Sequence, residues 1–436
     1  MFPNFRSSVL ATAVVTTLLT LPAAAQLSAP EQAIVAAVRA RSPDALRLLE
    51  RAVNVNSGTL NQDGVRAVGQ IFRAEFDQLG FQTTWRDMPP AMQRAGHLLA
   101  SREGTQGKRL LLIGHLDTVF EKDSAVQLWQ RAGDKVRGQG VSDMKGGDVI
   151  VIEALRALHS IGALDHTSIS VVFTGDEESV GSPLAVARAD LIAAAKRSDI
   201  ALAFEGTVKD SAGRDTATIG RRASGGWTLS VKGKQGHSMG VFSAGAGFGA
   251  VYEAARILNT FREQVVEPDL TFNPGVILGG TEVVYDSENS RGTAFGKTNV
   301  IANTVTVKGD LRYLSAAQGE KARAKMRDIV AHSLAGTSAS IIFNESYPPM
   351  APTDGNLRIL QVYSKASADA GFGVIDALPP GQRGAGDVQF VAPLIDSLDG
   401  LGATGRGSHS PDEDLELASI ERATIRTAVL IYRLTR

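Results

Sequence analysis

The stretch Ser168-Ile-Ser-Val-Val-Phe173 is followed at once by Thr174-Gly-Asp-Glu-Glu178. A short run rich in β-branched residues is typical of a strand that is buried within a sheet. Three carboxylates therefore stand together at the carboxyl end of a predicted buried strand. Like charges this close repel one another unless a cation or solvent offsets the repulsion. The stretch alone fits either a solvated acidic loop or a cation site.

Two runs of the same kind occur before and after this strand. Arg109–Gly114 (RLLLIG) and Ile200–Glu205 (IALAFE) are short and apolar, Gly146–Ser160 has the pattern of a helix, and residues 26–79 are predicted mainly helical. Further strands are predicted at Phe81–Arg86 and His97–Arg102. Strands that alternate with helices predict an α/β fold with a mostly parallel sheet. In such sheets functional groups gather beyond the carboxyl ends of the strands.

From about residue 220 the pattern changes to the order β-α-β-β-α-β. The predicted elements are Trp227–Lys232, Ala244–Phe261, Val276–Val284, Val305–Leu314, Ala316–Leu334 and Ser338–Phe343. This order is that of a ferredoxin-like α+β unit. We therefore predict that residues 220–347 form an inserted domain, and that residues 26–219 and 348–436 together form the α/β domain.

Composition and charge limit the classes of protein. A chain of 436 residues exceeds what one hydrophobic core usually serves, so two domains are expected. Apolar residues make up 43% and charged residues 21%, and the formal net charge is -1. This balance argues against a nucleic-acid partner and against an anionic membrane surface.

Residues 1–25 have the pattern of a secretory signal peptide. Arg6 supplies the positive charge, Val9–Leu21 is apolar, and three alanines precede Gln26. An uncleaved membrane anchor is the alternative, but the apolar run is shorter than the ~20 residues that a spanning helix needs. We expect export to the periplasm or the medium, with no membrane partner after cleavage. Because cysteine is absent, the exported protein has no disulfides.

Residues with metal-ligand chemistry recur where predicted strands end. His115 and Asp117 follow RLLLIG, Asp143 lies in the glycine-rich stretch GQGVSDMKGG, and Glu205 ends IALAFE. His409 lies in a second glycine-rich stretch, GRGSHSP. Imidazole and carboxylate groups bind Zn²⁺ and similar ions, and a set this large suits two metals that share a bridging carboxylate.

Any one of these residues taken alone is more often structural than a metal ligand. The other histidines keep that interpretation, because they lack acidic neighbours of the right kind: His97, His159, His166 and His332. What indicates a metal site is the ordered set of motifs at strand ends.

In their order, the motifs HxD, GxxDxKGG, DEE and a late glycine-flanked histidine make the chain resemble the dinuclear zinc peptidases of the aminoacylase/carboxypeptidase family. Within that family the glutamate carboxypeptidase branch is the most similar. The resemblance runs from about residue 30 to the C-terminus. It implies two Zn²⁺ ions per subunit, with the ligands His115, Asp143, Glu178, Glu205 and His409.

The resemblance also implies a role for each ligand. Asp143 would bridge the two metals, and His115 would bind the first metal, whose site His409 completes. Glu205 would bind the second metal, and Glu178 would be a further ligand.

Two more residues receive roles from the same resemblance. Glu177 would be the general base, since a free carboxylate beside an activated water can accept its proton and pass it to the leaving amine. Asp117 would hold and polarise the imidazole of His115.

For residues 220–347 the resemblance implies a lid and dimerisation domain. His237, in GKQGHS, matches a lid histidine that supports the oxyanion in the partner subunit's site. Asn299 and Arg312 match segments that bind substrate, although Arg312 also fits an ordinary surface arginine at a strand end. Gly386, in GAGD, matches a glycine-rich turn near the substrate.

One departure puts the preference for a C-terminal glutamate in doubt. The glutamate carboxypeptidase branch has arginines after the last lid strand, where this chain reads Asn344-Glu-Ser-Tyr-Pro-Pro349. Arg383, in GQRGAGD, is the candidate replacement.

The function implied is that of an exported, homodimeric zinc metallopeptidase. It would release a C-terminal amino acid from small peptides or N-acyl amino acids. The resemblance supports this subclass, because relatives with glutamate at the position of Glu205 tend to be carboxypeptidases or deacylases, whereas those with aspartate there tend to be aminopeptidases or dipeptidases. An N-acyl-amino-acid deacylase is one alternative. The other is a metal-free, non-catalytic binding protein, which the presence of every ligand and of Glu177 argues against.

Overall fold

The computed structural model describes residues 27–125, 128–287 and 290–436, so the predicted signal peptide lies outside the described residues. The helices are α1 (Ala29–Val53), α2 (Gln62–Gln78), α3 (Gly146–Ser160), α4 (Leu184–Ala187), α5 (Ala189–Ala195), α6 (Gly249–Gln264), α7 (Ala316–Ala331), α8 (Asp354–Asp369) and α9 (Leu417–Leu434). Across the described ranges, none of them combines the length and hydropathy needed to cross a bilayer.

The strands run through the whole described chain. They are β1 (Gln82–Arg86), β2 (His97–Arg102), β3 (Gln106–His115), β4 (Gln130–Ala132), β5 (Lys135–Arg137), β6 (Thr167–Thr174), β7 (Ile200–Ala203), β8 (Thr216–Ala217), β9 (Gly225–Gly233), β10 (Thr271–Gly280), β11 (Glu282–Asp286), β12 (Arg291–Phe295), β13 (Thr304–Arg312), β14 (Thr337–Glu345), β15 (Asp376–Ala377), β16 (Asp396–Leu398), β17 (Gly405–Arg406) and β18 (Asp414–Glu416).

The central sheet has six strands in the order β1-β2-β6-β3-β7-β16, of which the last four are parallel. Along β3, Leu110 and Leu112 join the hydrophobic cluster formed with α1, α3 and α9, whereas Leu111 and Ile113 join a cluster that includes α5. Both faces of the strand are therefore covered, which explains why RLLLIG is apolar without alternation. The predicted α/β class with a mostly parallel sheet is confirmed.

A second, antiparallel sheet has the order β10-β13-β9-β14. Helices α6 and α7 share a separate hydrophobic cluster with it, around the buried Trp227 and Phe261. The chain order β9-α6-β10-β13-α7-β14 is the expected ferredoxin-like one. The exact boundaries at residues 220 and 347, and the lid and dimerisation role, stay predictions.

Two local predictions in this part of the chain are wrong. Helix α6 begins at Gly249 and not at Ala244, because Gly247 has a left-handed φ of 72° that a helix cannot continue through. The predicted strand Val276–Val284 is divided into β10 and β11, and β11 pairs with β12 in a hairpin that was not predicted. A Cβ at Gly280 would lie 2.3 Å from the carbonyl oxygen of Phe295, so this junction depends on glycine.

Candidate active site

The carboxyl ends of β3, β6 and β7 meet at one edge of the central sheet. His115 is the last residue of β3, the Asp176-Glu177-Glu178 loop follows β6, and Glu205 follows β7. The parallel pairing of β3 with both neighbours places these three strand ends side by side. The site therefore lies where the order of parallel strands led us to expect functional groups.

Asp143 occupies the centre of the cluster, in the turn that precedes α3. Its Oδ1 lies 3.4 Å from Nε2 of His115, and its Oδ2 lies 3.3 Å from Nε2 of His409. The Nε2 atom of His115 is 3.6 Å from Oε1 of Glu205, and that of His409 is 3.0 Å from Oε2 of Glu178. The two oxygens of one carboxylate thus face two separate groups of side chains.

This geometry favours a grouping of the ligands that differs from the one implied by the family resemblance. The resemblance places His115 and His409 at the same metal and Glu205 at the other. In the structure the two histidines lie on opposite sides of Asp143, so His115 is grouped with Glu205 and His409 with Glu178. Asp143 keeps the bridging position, and the five predicted ligands do come together.

The nitrogen and oxygen atoms of this cluster fit zinc as the bound ion. His115 Nε2 and Glu178 Oε1 are buried but have no hydrogen-bond partner within the described ranges of the chain. Nδ1 of His115 donates to the backbone carbonyl of Asp117 at 3.0 Å, and this bond leaves the lone pair of Nε2 directed at the carboxylates. Imidazole nitrogens and carboxylate oxygens that converge in this way could hold a metal ion, and they are ligand types that zinc prefers.

The electrostatics of the cluster also favour added positive charge. Burial raises the pKa of the Glu177 carboxyl well above its ordinary value and raises the pKa of Glu205 to about 7. The neighbouring Asp143 and Glu178 raise the pKa of the His409 imidazole to about 11. Burial, together with the nearby carboxylates, thus disfavours negative charge on Glu177 and Glu205, and the acidic neighbours of His409 favour a proton on its imidazole, so a bound cation would relieve both.

Asp117 is fully buried and connects three parts of the site. Its Oδ1 lies 3.5 Å from Nδ1 of His115, and its carboxylate accepts the hydroxyl of Thr59 at 2.6 Å. The same carboxylate accepts the backbone N–H groups of Glu177 at 3.0 Å and Glu178 at 3.1 Å. Asp117 thus holds both the imidazole and the loop that carries the two glutamates.

The third acidic residue of the loop has a different environment. Asp176 is buried and pairs with the buried Arg188, whose Nη1 lies 2.5 Å from its Oδ1. Arg188 also donates to Asp387 at 2.7 Å, and the hydroxyl of Thr174 donates to Asp387 at 2.5 Å. The charge of Asp176 is therefore offset by an internal cation, and only Glu177 and Glu178 face the site.

A cavity of about 430 Å³ opens onto the cluster. Besides four of the acidic residues and His409, its walls include Arg221, Tyr347 and Arg383. The hydroxyl of Tyr347 donates to the backbone carbonyl of Glu177 at 2.8 Å. A concave space beside titratable groups with shifted pKa values has the features of an active site.

The family model for the peptidase family M20/M25/M40 matches residues 111–433. The chain belongs to this family. It is 29% identical over 408 residues to carboxypeptidase G2 from Pseudomonas sp. (strain RS-16), an alignment that covers 90% of this chain and 89% of that protein. It is 26% identical over 397 residues to a succinyl-diaminopimelate desuccinylase from Cupriavidus taiwanensis, with 86% and 95% covered.

Solved structures of M20 proteins share the fold at low sequence identity. The aminopeptidase PepT from Bacillus cereus matches with a TM-score of 0.70 at 17% identity, covering 91% of this chain and 99% of that one. The M20 metallo-carboxypeptidase Sso-CP2 from Sulfolobus solfataricus matches with a TM-score of 0.63 at 17% identity, covering 89% and 98%. The chain is accordingly a metal-dependent hydrolase of amide bonds, in a family whose metal is typically zinc.

Four residues that the resemblance assigned to the substrate do not line the cavity of this M20 chain. His237 and Asn299 are exposed on the ferredoxin-like unit, and Nε of Arg312 donates to Asp310 at 3.0 Å. Gly386 is buried behind Arg221, where a Cβ would lie 2.9 Å from the guanidinium carbon. The roles assigned to these four residues stay predictions. Close packing against Arg221 accounts for glycine at position 386.

The cavity residues Arg221 and Tyr347 were missed from the sequence. Arg221 pairs with the buried Asp399 and donates to the backbone carbonyls of Gly384 at 2.8 Å and Ala385 at 2.7 Å. It follows the short strand β8 in a stretch without a metal-type neighbour, so no local signal in the sequence singled it out.

His97 has the structural role that was predicted for it. Its Nδ1 accepts the backbone N–H of Gly175 at 3.1 Å, and its Nε2 lies 2.9 Å from the backbone carbonyl of Ala187. Both ring nitrogens are engaged inside the fold, so neither is available to a metal.

Proposed function

We propose that this M20 protein is an exported dizinc amidohydrolase that releases a C-terminal amino acid from small peptides or N-acyl amino acids. The observation that supports it best is the five-ligand cluster centred on Asp143, with Glu177 beside it in the same cavity.

The signal-peptide pattern of residues 1–25 supports export. N-terminal sequencing of protein recovered from the periplasm or medium should begin at Gln26.

The two metals would be held on the two sides of Asp143. When bound, zinc supplies Lewis acidity that activates water and polarises the carbonyl of the scissile amide. Glu177 accepts a proton from the water and delivers it to the leaving amine. Asp117 and Tyr347 hold the backbone of Glu177 from its N–H and its carbonyl, so the base keeps one position throughout.

The charges of the cavity favour a substrate with a free carboxylate. Arg221 forms an ion pair with Asp399, whereas Arg383 has no ion-pair partner among the described residues, and its Nε and Nη2 atoms have no hydrogen-bond partner there either. A buried donor left unpaired is unfavourable, and a guanidinium binds a carboxylate in a bidentate manner. The similarity to carboxypeptidase G2 fits release of an amino acid that carries this carboxylate.

Replacement of Arg383 by glutamine tests this substrate class. With zinc-loaded protein we expect N-acyl amino acids and dipeptides to be hydrolysed well, and their C-terminal amides poorly. Because a hydrogen bond to a charged group is worth about 1.5–3 kcal/mol, Arg383→Gln should raise KM for the free acids by about 10- to 100-fold. It should leave KM for the amides nearly unchanged.

The matched control is Arg131→Gln, an exposed arginine on β4 away from the cavity. Equal hydrolysis of acids and amides by the wild-type protein would contradict the proposed substrate class. An equal KM increase for both by Arg383→Gln would show instead that Arg383 serves only to balance the acidic cluster.

The similarity to a desuccinylase keeps the deacylase alternative open. A carboxypeptidase cleaves dipeptides as well as N-acyl amino acids, whereas a dedicated deacylase acts on the N-acyl compounds alone. The metal-free binding protein remains a weaker alternative, since every ligand is in place. Zinc analysis of purified protein separates it from both enzymes.

We also propose a homodimer formed through residues 220–347. β14 and β10 are the two edge strands of the second sheet, and Ile342 on β14 and Ile277 on β10 are each more than half exposed. Exposed apolar groups beside a sheet edge are suited to pairing with a second copy. His237 is exposed on the same unit and lies outside its own cavity, which suits a role in the partner subunit's site.

Mixed dimers test this shared site. Glu177→Gln and His237→Ala should each be inactive alone, yet regain activity when co-assembled, since one of the two sites then holds both wild-type residues. We expect about half the wild-type activity per heterodimer, measured after the subunits are mixed and re-associated. A fully active monomer in sedimentation, or no recovery in verified heterodimers, would contradict the shared site.

A further inference from the structure

Glu413 is a fully buried glutamate that no catalytic step described above uses. It lies four residues after His409, on the hairpin formed by β17 and β18. Its Oε1 accepts the backbone N–H groups of Ser142 at 2.8 Å and Asp143 at 3.0 Å, and also the hydroxyl of Ser142 at 3.2 Å. Its Oε2 accepts the backbone N–H of Gly140 at 3.2 Å.

We propose that Glu413 is a positioning residue for the bridging ligand, and that it assembles the two segments that supply Asp143 and His409. The inference rests on the proposed dizinc function. Glu413 itself touches neither substrate nor metal. It fixes the backbone from which Asp143 extends and belongs to the hairpin that carries His409.

The turn that Glu413 holds is irregular and needs an external acceptor. Gly140 has a left-handed φ of 64°, and Asp143 departs from helical geometry with φ -122° and ψ 89°. Such a backbone leaves N–H groups at residues 140, 142 and 143 that converge on one point. A carboxylate satisfies all of them, whereas a neutral side chain of similar size satisfies fewer.

The hairpin is also anchored by contacts that do not involve Glu413. β18 pairs with β5, where Leu415 lies opposite Val136, and both side chains are fully buried. Lys135 Nζ lies 2.8 Å from Asp414. Gly405 packs so closely on Ser142 that a Cβ would lie 2.5 Å from the Cβ of Ser142. Loss of the Glu413 carboxylate should therefore leave the hairpin docked while the turn at Asp143 loosens.

The test is zinc affinity, measured by competition with a chromophoric chelator on the full mature protein. In Glu413→Gln the amide nitrogen cannot accept a hydrogen bond, so at least one converging N–H loses its partner. Because loss of a group that orients a ligand typically lowers metal affinity 10- to 100-fold, we expect a loss of this size for the more weakly bound zinc. Thermal unfolding should show a smaller zinc-induced rise in Tm than in wild-type.

The matched control is Glu416→Gln on the same hairpin, which loses the ion pairs with Lys209 and Arg422, both away from Asp143, and should keep zinc affinity within about 2-fold. If Glu413→Gln fails to fold, Ser142→Ala provides the test, and its zinc affinity should be about 2- to 10-fold lower than that of wild-type. The inference is overturned if folded Glu413→Gln binds both zinc ions with wild-type affinity. If only Ser142→Ala folds, the same result in that variant overturns it. A wild-type protein that binds fewer than two zinc ions overturns the proposed function, and the inference with it.

Discussion

Replacing Glu177 with glutamine should lower kcat by about 10²- to 10⁴-fold while the zinc content stays at the wild-type value. The glutamine keeps the size of the side chain but cannot accept a proton from water at neutral pH. The backbone of residue 177 remains held by Asp117 and Tyr347, so the loop should not move. Steady-state kinetics together with metal analysis of the same preparation measure both quantities.

The adjacent glutamate provides the contrast. Glu178 lies 3.0 Å from His409, and one of its buried oxygens has no hydrogen-bond partner in the part of the chain that the structure describes, so Glu178→Gln should lose zinc as well as activity. If Glu177→Gln instead loses a metal equivalent, or retains most of its kcat, the roles of the two residues are assigned wrongly. Equal metal loss in both variants would mean that neither is a free base.

The sequence was sufficient to predict that His115, Glu178 and Glu205 lie at one edge of the sheet. Parallel strands place the ends of RLLLIG, SISVVF and IALAFE at the same edge, together with the side chains that follow them. That these three residues are neighbours depends in addition on β3 lying between β6 and β7, an order that was not predicted. Short runs of apolar residues were enough to identify each of the three strands.

The grouping of ligands could not be predicted in the same way. It depends on the side of Asp143 on which His409 lies, and that is set by a hairpin between residues 405 and 416 whose strands are very short. Neither β17 nor β18 has a periodic pattern long enough to identify a strand. The anchoring contacts of this hairpin come from residues 135–143, more than 260 positions away.

Arg221 and Glu413 illustrate a second limit. Each is a charged residue that became buried because a distant segment supplies its partners, Asp399 for Arg221 and the turn at Ser142 for Glu413. A charged residue in a sequence is by default a surface residue. Only the folded arrangement shows that these two are held inside, where they support the site.

Replacing Asp143 with alanine should remove the stabilisation of the protein by zinc. In wild-type, zinc at 100 times its Kd adds about 2.7 kcal/mol to the free energy of unfolding, and a second ion adds to this. Asp143 is the ligand that faces both histidines, so its loss weakens both sites at once. Thermal unfolding with and without a chelator should give the same Tm for Asp143→Ala but well-separated values for wild-type.

The apo form separates this effect from ordinary damage to the fold. Burial alone would raise the pKa of Asp143, but hydrogen bonds with the imidazoles of His115 and His409 hold it below its ordinary value, so the charge of Asp143 is stabilised in the apo fold as well. The apo form of Asp143→Ala should therefore be less stable than apo wild-type, whereas the exposed control Asp165→Asn should match wild-type, and the loss of the zinc-induced rise in Tm is the quantity that reports the bridging role. Two bound zinc ions and a wild-type rise in Tm for Asp143→Ala would contradict the bridging role, since a carboxylate shared by two metals cannot be removed without loss at both.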